Sequence, residues 1–194
     1  MINKKFTKSL RDDYIKRNSE RRQIISLSNI ILNNSKKAIF AIHRQDNTLA
    51  LNNLKDSERI INKIKKDFGL NRAKEEGSYS AAMEEYVEAK LFYQFIKTGK
   101  IDKIQKVKIS EESYIGGICD LSGELIRRAT HEAINKNYNE VKKTRKIIND
   151  ILSELIDFDI IGHMRTKYDQ ARNNLKKIEQ MDYEISLREN LNRK

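Results

Sequence analysis

SYSAAMEEYVEAKLFYQFIKTG, residues 78–99, reads as one helix over 78–97 that Thr98 and Gly99 close. At about 100° per residue, Ala82, Ala89, Phe92 and Ile96 fall within roughly 60° of Glu85, and Glu88, Ala81 and Phe95 lie to its other side within about 80°. Met83, Val87, Lys90 and Gln94 point the opposite way. Glu85 and Glu88 therefore share the small and aromatic face that the pattern assigns to the interior. Glutamates are rarely buried without a partner, so this face calls for a cation, a metal or a proton.

The composition around this stretch suits long helices. The chain has 194 residues, no proline, no tryptophan and 7 glycines, with 35% charged residues. Proline and glycine are the residues that interrupt helices, so the fold class is all-α, in one domain over 1–194. Lys+Arg 39 against Asp+Glu 28 gives +11 at pH 7. That excess favours a polyanion, with nucleic acid the first candidate and a membrane surface a weaker one. The single cysteine, Cys119, excludes an internal disulfide and a multi-cysteine zinc site. No apolar run approaches the roughly 20 residues of a membrane span, and the lysine-rich start lacks the apolar stretch of a signal peptide, which together point to a cytoplasmic protein.

Periodicity places the other elements. A long first helix is expected from about Thr7 to Gln45, with Ile24, Ile31 and Ala38 on one line and Ile25, Leu32 and Ile39 on the next. At 1.5 Å per residue it exceeds about 50 Å, so it either projects or bends around a curved stack. A second helix runs from Leu49 to Phe68 and Gly69 stops it. Glu75, Glu76 and Gly77 lead into the 78–97 helix, with Ser78 or Ser80 as its cap. Residues 100–109 form a basic connection with room for one helical turn. Ser110 caps the next helix, and further helices follow over about Tyr138–Phe158 and His163–Leu187, with a polar tail from about residue 188. The total is six to seven helices.

YIGGICDLSGELIRRATHEAI, residues 114–134, carries a second acidic stripe. With Asp120 at zero, Glu124 lies at about 40°, Arg127 at about −20° and His131 at about 20°. Apolar Ile118, Leu121, Leu125, Ile126 and Ala129 cover the opposite arc, which also fits an ordinary solvated face. Gly116, Gly117 and Gly123 flank the stripe, and each costs around 1 kcal/mol in a helix interior, so something approaches this backbone: a neighbouring helix or a substrate.

Side by side, the two helices bring four carboxylates together: Glu85, Glu88, Asp120 and Glu124. Such a group repels itself unless a divalent cation neutralises it, and oxygen donors without a thiolate suit Mg²⁺ or Mn²⁺. No histidine has a glutamate three residues before it, which sets aside a di-iron bundle. In a basic chain this metal site would polarise a phosphodiester and activate water.

EEYVEAKLFYQFIKTG (84–99), YIGGICDLSGELIRR (114–128) and MRTKYDQARNNLKKIEQMDYEISLR (164–188) resemble the signature segments of the translin and translin-associated factor X family, and SLSNIILNNSKKAIFAIHR (26–44) is a weaker fourth match. The resemblance covers roughly residues 20–188 and is nearest to the catalytic factor X branch. It implies a curved α-α superhelix with a long N-terminal helix, assembled into a hollow octamer with Mg²⁺-dependent endoribonuclease sites inside. The catalytic and metal-binding acids carried over are Glu85, Glu88 and Asp120, and Glu124 matches the glutamate one turn later. Where relatives often have an Arg-Asp pair in the first helix, Asn29 and Ile30 stand here, which puts a phosphate contact there in question. A homo-octamer and an assembly with a translin-type subunit are both open.

The leading expectation is thus an endoribonuclease acting on single-stranded or partly structured RNA, with single-stranded DNA as a further ligand. Lys97, Arg127, Arg128, His131 and Tyr86 are the candidate RNA contacts, Tyr86 as a base-stacking platform. Each has a plainer reading. Arg127 can simply pair with Glu124, His131 can be a surface residue, and Lys142, Lys143, Arg145 and Lys146 can be a solvated face. Tyr93, Tyr114, Tyr138, Tyr168 and Tyr183 read as packing residues. The competing functions are a noncatalytic shell protein that binds RNA or DNA and an all-α nucleoside triphosphate pyrophosphohydrolase.

Overall fold

The computed structural model describes residues 2–191. Among them lie seven helices and no strand: α1 (Lys4–His43), α2 (Asn47–Phe68), α3 (Leu70–Lys74), α4 (Gly77–Thr98), α5 (Glu111–Ile134), α6 (Tyr138–Leu155) and α7 (Gly162–Leu191). The all-α expectation holds. The polar tail begins later than the sequence pattern indicates, because α7 continues to Leu191, and residues 192–194 lie outside the described residues.

α1 is 40 residues long, about 60 Å at 1.5 Å per residue. It projects: Phe6, Leu10 and Tyr14 are more than half exposed, whereas Ile24, Ile31 and Ala38 are sealed in the core. Asp46 turns the chain and caps α2 by accepting a hydrogen bond from the Leu49 N–H at 2.9 Å. Gly69, at φ 80°, ends α2 as expected, but the chain then winds one further short helix, α3, that the sequence reading missed. Its Ala73 is buried, and Arg72 reaches Glu76 at 2.8 Å and Glu20 at 3.4 Å. With Glu76 held by Arg72 and also by Arg21 at 3.4 Å, α4 starts directly after it at Gly77. The expected serine cap is absent, and Ser78 Oγ is buried without a partner.

α4 is the centre of the molecule. Arg21 meets Glu76 at one end and His43 packs on Phe92 at the other, 5.0 Å between rings, so α1 and α4 run in the same direction. α5 lies on the other flank of α4, Gly116 and Gly117 against Glu84 and Val87, and Glu124 against His43, again in the same direction. Parallel neighbours need a crossover, and residues 99–110 supply it without a helical turn. Ile104 and Val107 are buried along its course, and the Ile104 N–H donates to the Tyr114 hydroxyl at 2.6 Å. Ser110 caps α5 as expected, accepting from the Ser113 N–H at 3.2 Å. α6 and α7 fold back beside α5, antiparallel to each other, with Arg145 on Asp182 at 2.9 Å.

This placement corrects one part of the sequence reading. Met83 and Val87, assigned away from the core, are fully buried because α1, α2 and α5 enclose α4 on several sides. The acidic face is the edge where α4 opens: Ala81 is exposed and Glu85 half-buried, although Ala82, Ala89 and Phe92 beside them are sealed.

Two of the α5 glycines are explained by this packing and one is not. A Cβ at Gly117 would sit 2.6 Å from the Val87 side chain and 2.7 Å from the Glu84 carbonyl, and one at Gly116 3.0 Å from the Glu84 side chain. At Gly123 the nearest atom would be Asn174 Nδ2 at 3.7 Å, an ordinary contact. The Gly117→Ala variant should therefore lose about 1–3 kcal/mol of stability through overpacking, whereas Gly123→Ala should gain up to about 1 kcal/mol of helix propensity. Denaturation midpoints of the two variants check this, and a Gly117→Ala chain as stable as the parent would contradict the packing described.

Candidate functional site

The acidic face of α4 opens into a cleft walled by α1, α5 and α7. Glu85 and Glu88 project from α4, one turn apart, and Asp120 and Glu124 project from the parallel α5. Glu88 is 9% exposed, and burial, then the charges of Glu85, Asp120 and Glu124, push its carboxyl up to about 9. Burial likewise raises Glu85, with Lys36 and Lys167 opposing and Asp120 and Glu124 reinforcing. Glu85, Asp120 and Glu124 thus lie near enough to Glu88 for their charges to act on it.

The sequence reading missed the basic and additional acidic partners in this cleft. Lys167 of α7 pairs with Asp120 and reaches Glu84 at 3.1 Å. Burial pulls the Lys167 ammonium down, but the hydrogen bonds and charges of Asp120 and Glu84 outweigh it and hold the group above its ordinary value. His43 of α1 bonds Glu124 through Nε2, and Lys36 of α1 faces Glu85. Glu84 could have been suspected from the doublet with Glu85. Lys167 is 47 residues from Asp120 and has no signal in any periodicity.

The candidate RNA contacts divide three ways. Arg127 sits at the rim, 3.5 Å from Glu124 and 5.2 Å over the Phe40 ring, so the simple ion pair exists and the residue still borders the cleft. His131 is exposed, with its ring 6.5 Å from that of His43. Arg128 turns away to Glu132 at 3.7 Å and Glu140 at 3.8 Å, and Lys97 is exposed in the last turn of α4, roughly 13 Å along the axis from Glu88. Tyr86 must be withdrawn as a stacking platform. It is fully buried on the far side of α4, where its hydroxyl donates to Glu58 at 3.1 Å, because that face packs on α2. Burial raises its hydroxyl, and so does the Glu58 charge. Tyr79 and Tyr168 are buried and Tyr93, Tyr114 and Tyr138 half-buried, as packing residues should be, but Tyr183 is 63% exposed. Asn29 and Ile30 are both exposed on α1.

In donor chemistry the cleft fits a hard divalent cation: five carboxylates face two lysines, one arginine and one histidine, and no thiolate competes. Cys119 is buried, and burial with the neighbouring Asp120 charge pushes its thiol up to about 12. The carboxylates do not form a closed cage, however. Asp120 is engaged by Lys167 and Glu124 by His43, and among the described residues no three His, Cys, Asp or Glu side chains form a group disposed to hold a metal ion. No helix of the described residues is long and apolar enough to cross a membrane.

A model of the translin family matches residues 19–189. Of related proteins, an uncharacterized one from Methanocaldococcus jannaschii is 32% identical over 187 residues, covering 91% of this chain and 83% of its own length. The translin-associated protein X homolog of Schizosaccharomyces pombe is 24% identical over 190 residues, 88% of this chain and 82% of that one. Among solved structures, AfC3PO superposes with a TM-score of 0.85 at 21% identity over 95% of this chain and 98% of that chain. Apo-NeC3PO gives 0.84 at 22% identity (94% and 97%), and AfC3PO in complex with duplex RNA gives 0.83 at 22% (96% and 98%). These likenesses establish the shared all-helical fold.

Proposed function

The chain belongs to the translin family, and from that premise we propose that it is a divalent-cation-dependent endoribonuclease of the factor X kind, acting on single-stranded or partly structured RNA. The observation that carries the proposal is the convergence of Glu85, Glu88, Asp120 and Glu124 in one cleft, where burial and then the neighbouring carboxylates push Glu88 up to about 9. Like charges are held together at a cost that a bound cation would remove. The AfC3PO complex is with duplex RNA, which supports RNA as the polyanion for a chain of +11.

Glu85, Glu88 and Asp120 would hold Mg²⁺ or Mn²⁺, with Glu124 as a fourth donor or as the group that orients water. The cation would supply a Lewis acid for a phosphodiester oxygen and a lowered pKa for bound water. The protein's own contribution is to present the acids from two parallel helices locked by Gly117. Lys36, Arg127 and Lys167 border the cleft as cations for the phosphate backbone, and a cation held by Asp120 would compete with the ion pair from Lys167. Assembly into a hollow oligomer, as a homo-octamer or with a translin-type subunit, belongs to the same proposal.

A specific observation favours a second reading, a noncatalytic nucleic-acid-binding shell protein: Asp120 is already paired with Lys167, and Glu124 is already hydrogen-bonded to His43. Nothing in the structure favours the pyrophosphohydrolase alternative. The two readings separate on a labelled single-stranded RNA incubated with Mg²⁺ or with EDTA. The endonuclease cuts only with the cation, and Glu88→Ala binds without cutting. If the parent chain binds but does not cut with Mg²⁺ or Mn²⁺, the shell reading stands instead.

A further inference from the structure

The crossover between α4 and α5 is a basic element that the acidic cleft does not use. Its buried side chains fix its course: Ile104 and Val107 point inward, the Ile104 N–H is tied to Tyr114, and the Asp102 N–H donates to Gln94 Oε1 at 3.3 Å. The intervening Lys103, Lys106 and Lys108 are thereby held outward, all three exposed. In extended chain they are spaced by about 7–10 Å.

Two contiguous grooves run along this element, sharing Lys103, Gln105 and Lys106. One, of about 460 Å³, is bounded on the α4 side by Lys90, Gln94 and Lys100. The other, of about 490 Å³, is bounded on the α2 side by Asn62 and Lys65, with Lys108 at its end. Lys90 and Gln94 lie roughly 170–210° around α4 from the middle of the Glu85–Glu88 face, so the grooves are on the opposite side of that helix from the cleft. The acids near them are few. Glu58, 7% exposed, is taken by Lys90 at 2.7 Å and approached by Lys106 at 3.8 Å, and Asp102 is exposed. No ion pair is formed by Lys65, Lys100, Lys103 or Lys108 among the described residues.

We propose that this lysine-lined groove, on the side of α4 opposite the acidic cleft, is a second RNA-binding surface that holds the sugar-phosphate backbone without reading sequence. The lining chemistry selects that occupant. Lysines act as point charges for phosphate rather than as planar forks for one carboxylate, and amide side chains between them offer hydrogen bonds to phosphate and ribose oxygens. Lys103 and Lys108 also border an apolar pocket that holds Phe158, but the walls formed by Asn62, Lys65, Lys90, Gln94 and Lys100 present no exposed aromatic or aliphatic anchor of the kind that a protein segment or an amphipathic membrane contact would need. The groove would hold the strand outside the cleft.

The test measures binding of a fluorescent oligouridine in EDTA, where no cleavage is required, so its outcome is independent of the endonuclease reading. Lys65→Ala/Lys103→Ala/Lys108→Ala is compared with a charge-matched control, Lys146→Ala/Lys176→Ala/Lys177→Ala, across a salt series. Each phosphate contact contributes about 0.7 to the slope of log K against log salt for a single strand, so the groove variant should lose about 2 from the slope and bind roughly tenfold or more weakly at physiological salt, with the control near the parent. Equal losses in the two variants would overturn the proposal, as would poly-glutamate binding to the parent groove more tightly than the oligouridine. Circular dichroism of the variants, all at exposed positions, keeps a folding defect from being read as lost binding.

Discussion

Replacing both Glu85 and Glu88 with glutamine is expected to abolish cation-dependent RNA cleavage, by roughly a thousandfold or more, while the chain stays folded and RNA still binds. Glutamine keeps the size and the hydrogen-bonding reach of each side chain but removes the charge that a hard cation requires. The loss should be of the size seen when a group that stabilises transition-state charge is removed. The fold should survive because Glu85 and Glu88 are not counterbalanced in place: the nearby cations are spent on other acids, Lys167 on Glu84 and Asp120 and Arg127 on Glu124. Replacing these two carboxyls relieves burial cost and repulsion rather than breaking an ion pair. Among the described residues neither Glu85 nor Glu88 is a partner in any of the ion pairs, which run from Lys167 to Glu84 and Asp120 and from His43 and Arg127 to Glu124. If the double variant unfolds, the two glutamates are structural and the site assignment is wrong.

The second large effect is on stability against pH. Glu88 sits at about 9 in the folded chain because of its burial and the carboxylates around it, far above the ordinary carboxylate value of the unfolded chain. Below the unfolded value both states carry the proton and the group contributes its full stability. Between that value and about 9 the folded state holds a proton that the unfolded state has released, so stability falls as pH rises through the window. The charges facing it are Glu85, Asp120, Glu124 and Lys167, with Lys36 and His43 on the adjacent wall. At neutral pH and above, Glu88→Gln should be more stable than the parent by a few kcal/mol, an order-of-magnitude figure, and near pH 4 the two should converge. Urea titrations at several pH values, without divalent cations, measure it. A parent and variant separated by a constant amount at all pH values would show that Glu88 does not titrate in this way.

Much of this was legible from residues alone because helices have a fixed period. The 3.6-residue repeat located Ile24, Ile31 and Ala38 in the α1 core and set Glu85 with Glu88 and Asp120 with Glu124 on common stripes. The same local rule failed at Met83, Val87 and Tyr86, since a helix enclosed on several sides has no single apolar arc from which burial can be read. It also gave no hint of Lys167 or His43, whose contacts with Asp120 and Glu124 depend on how distant helices dock. Glycine proved informative in two places out of three: Gly116 and Gly117 mark the close approach of α4, whereas Gly123 faces no crowding neighbour. The short α3 escaped because a single turn held by Arg72 has too few residues to show periodicity.

The most direct test of the acidic cleft as a cation-dependent hydrolytic site is a calorimetric titration of the intact chain with Mn²⁺, run beside Asp120→Ala. Saturable binding by the parent, competed by Mg²⁺ and lost in Asp120→Ala, is the expected result. A parent that takes up neither cation, or an Asp120→Ala variant that binds Mn²⁺ as tightly as the parent, would contradict it.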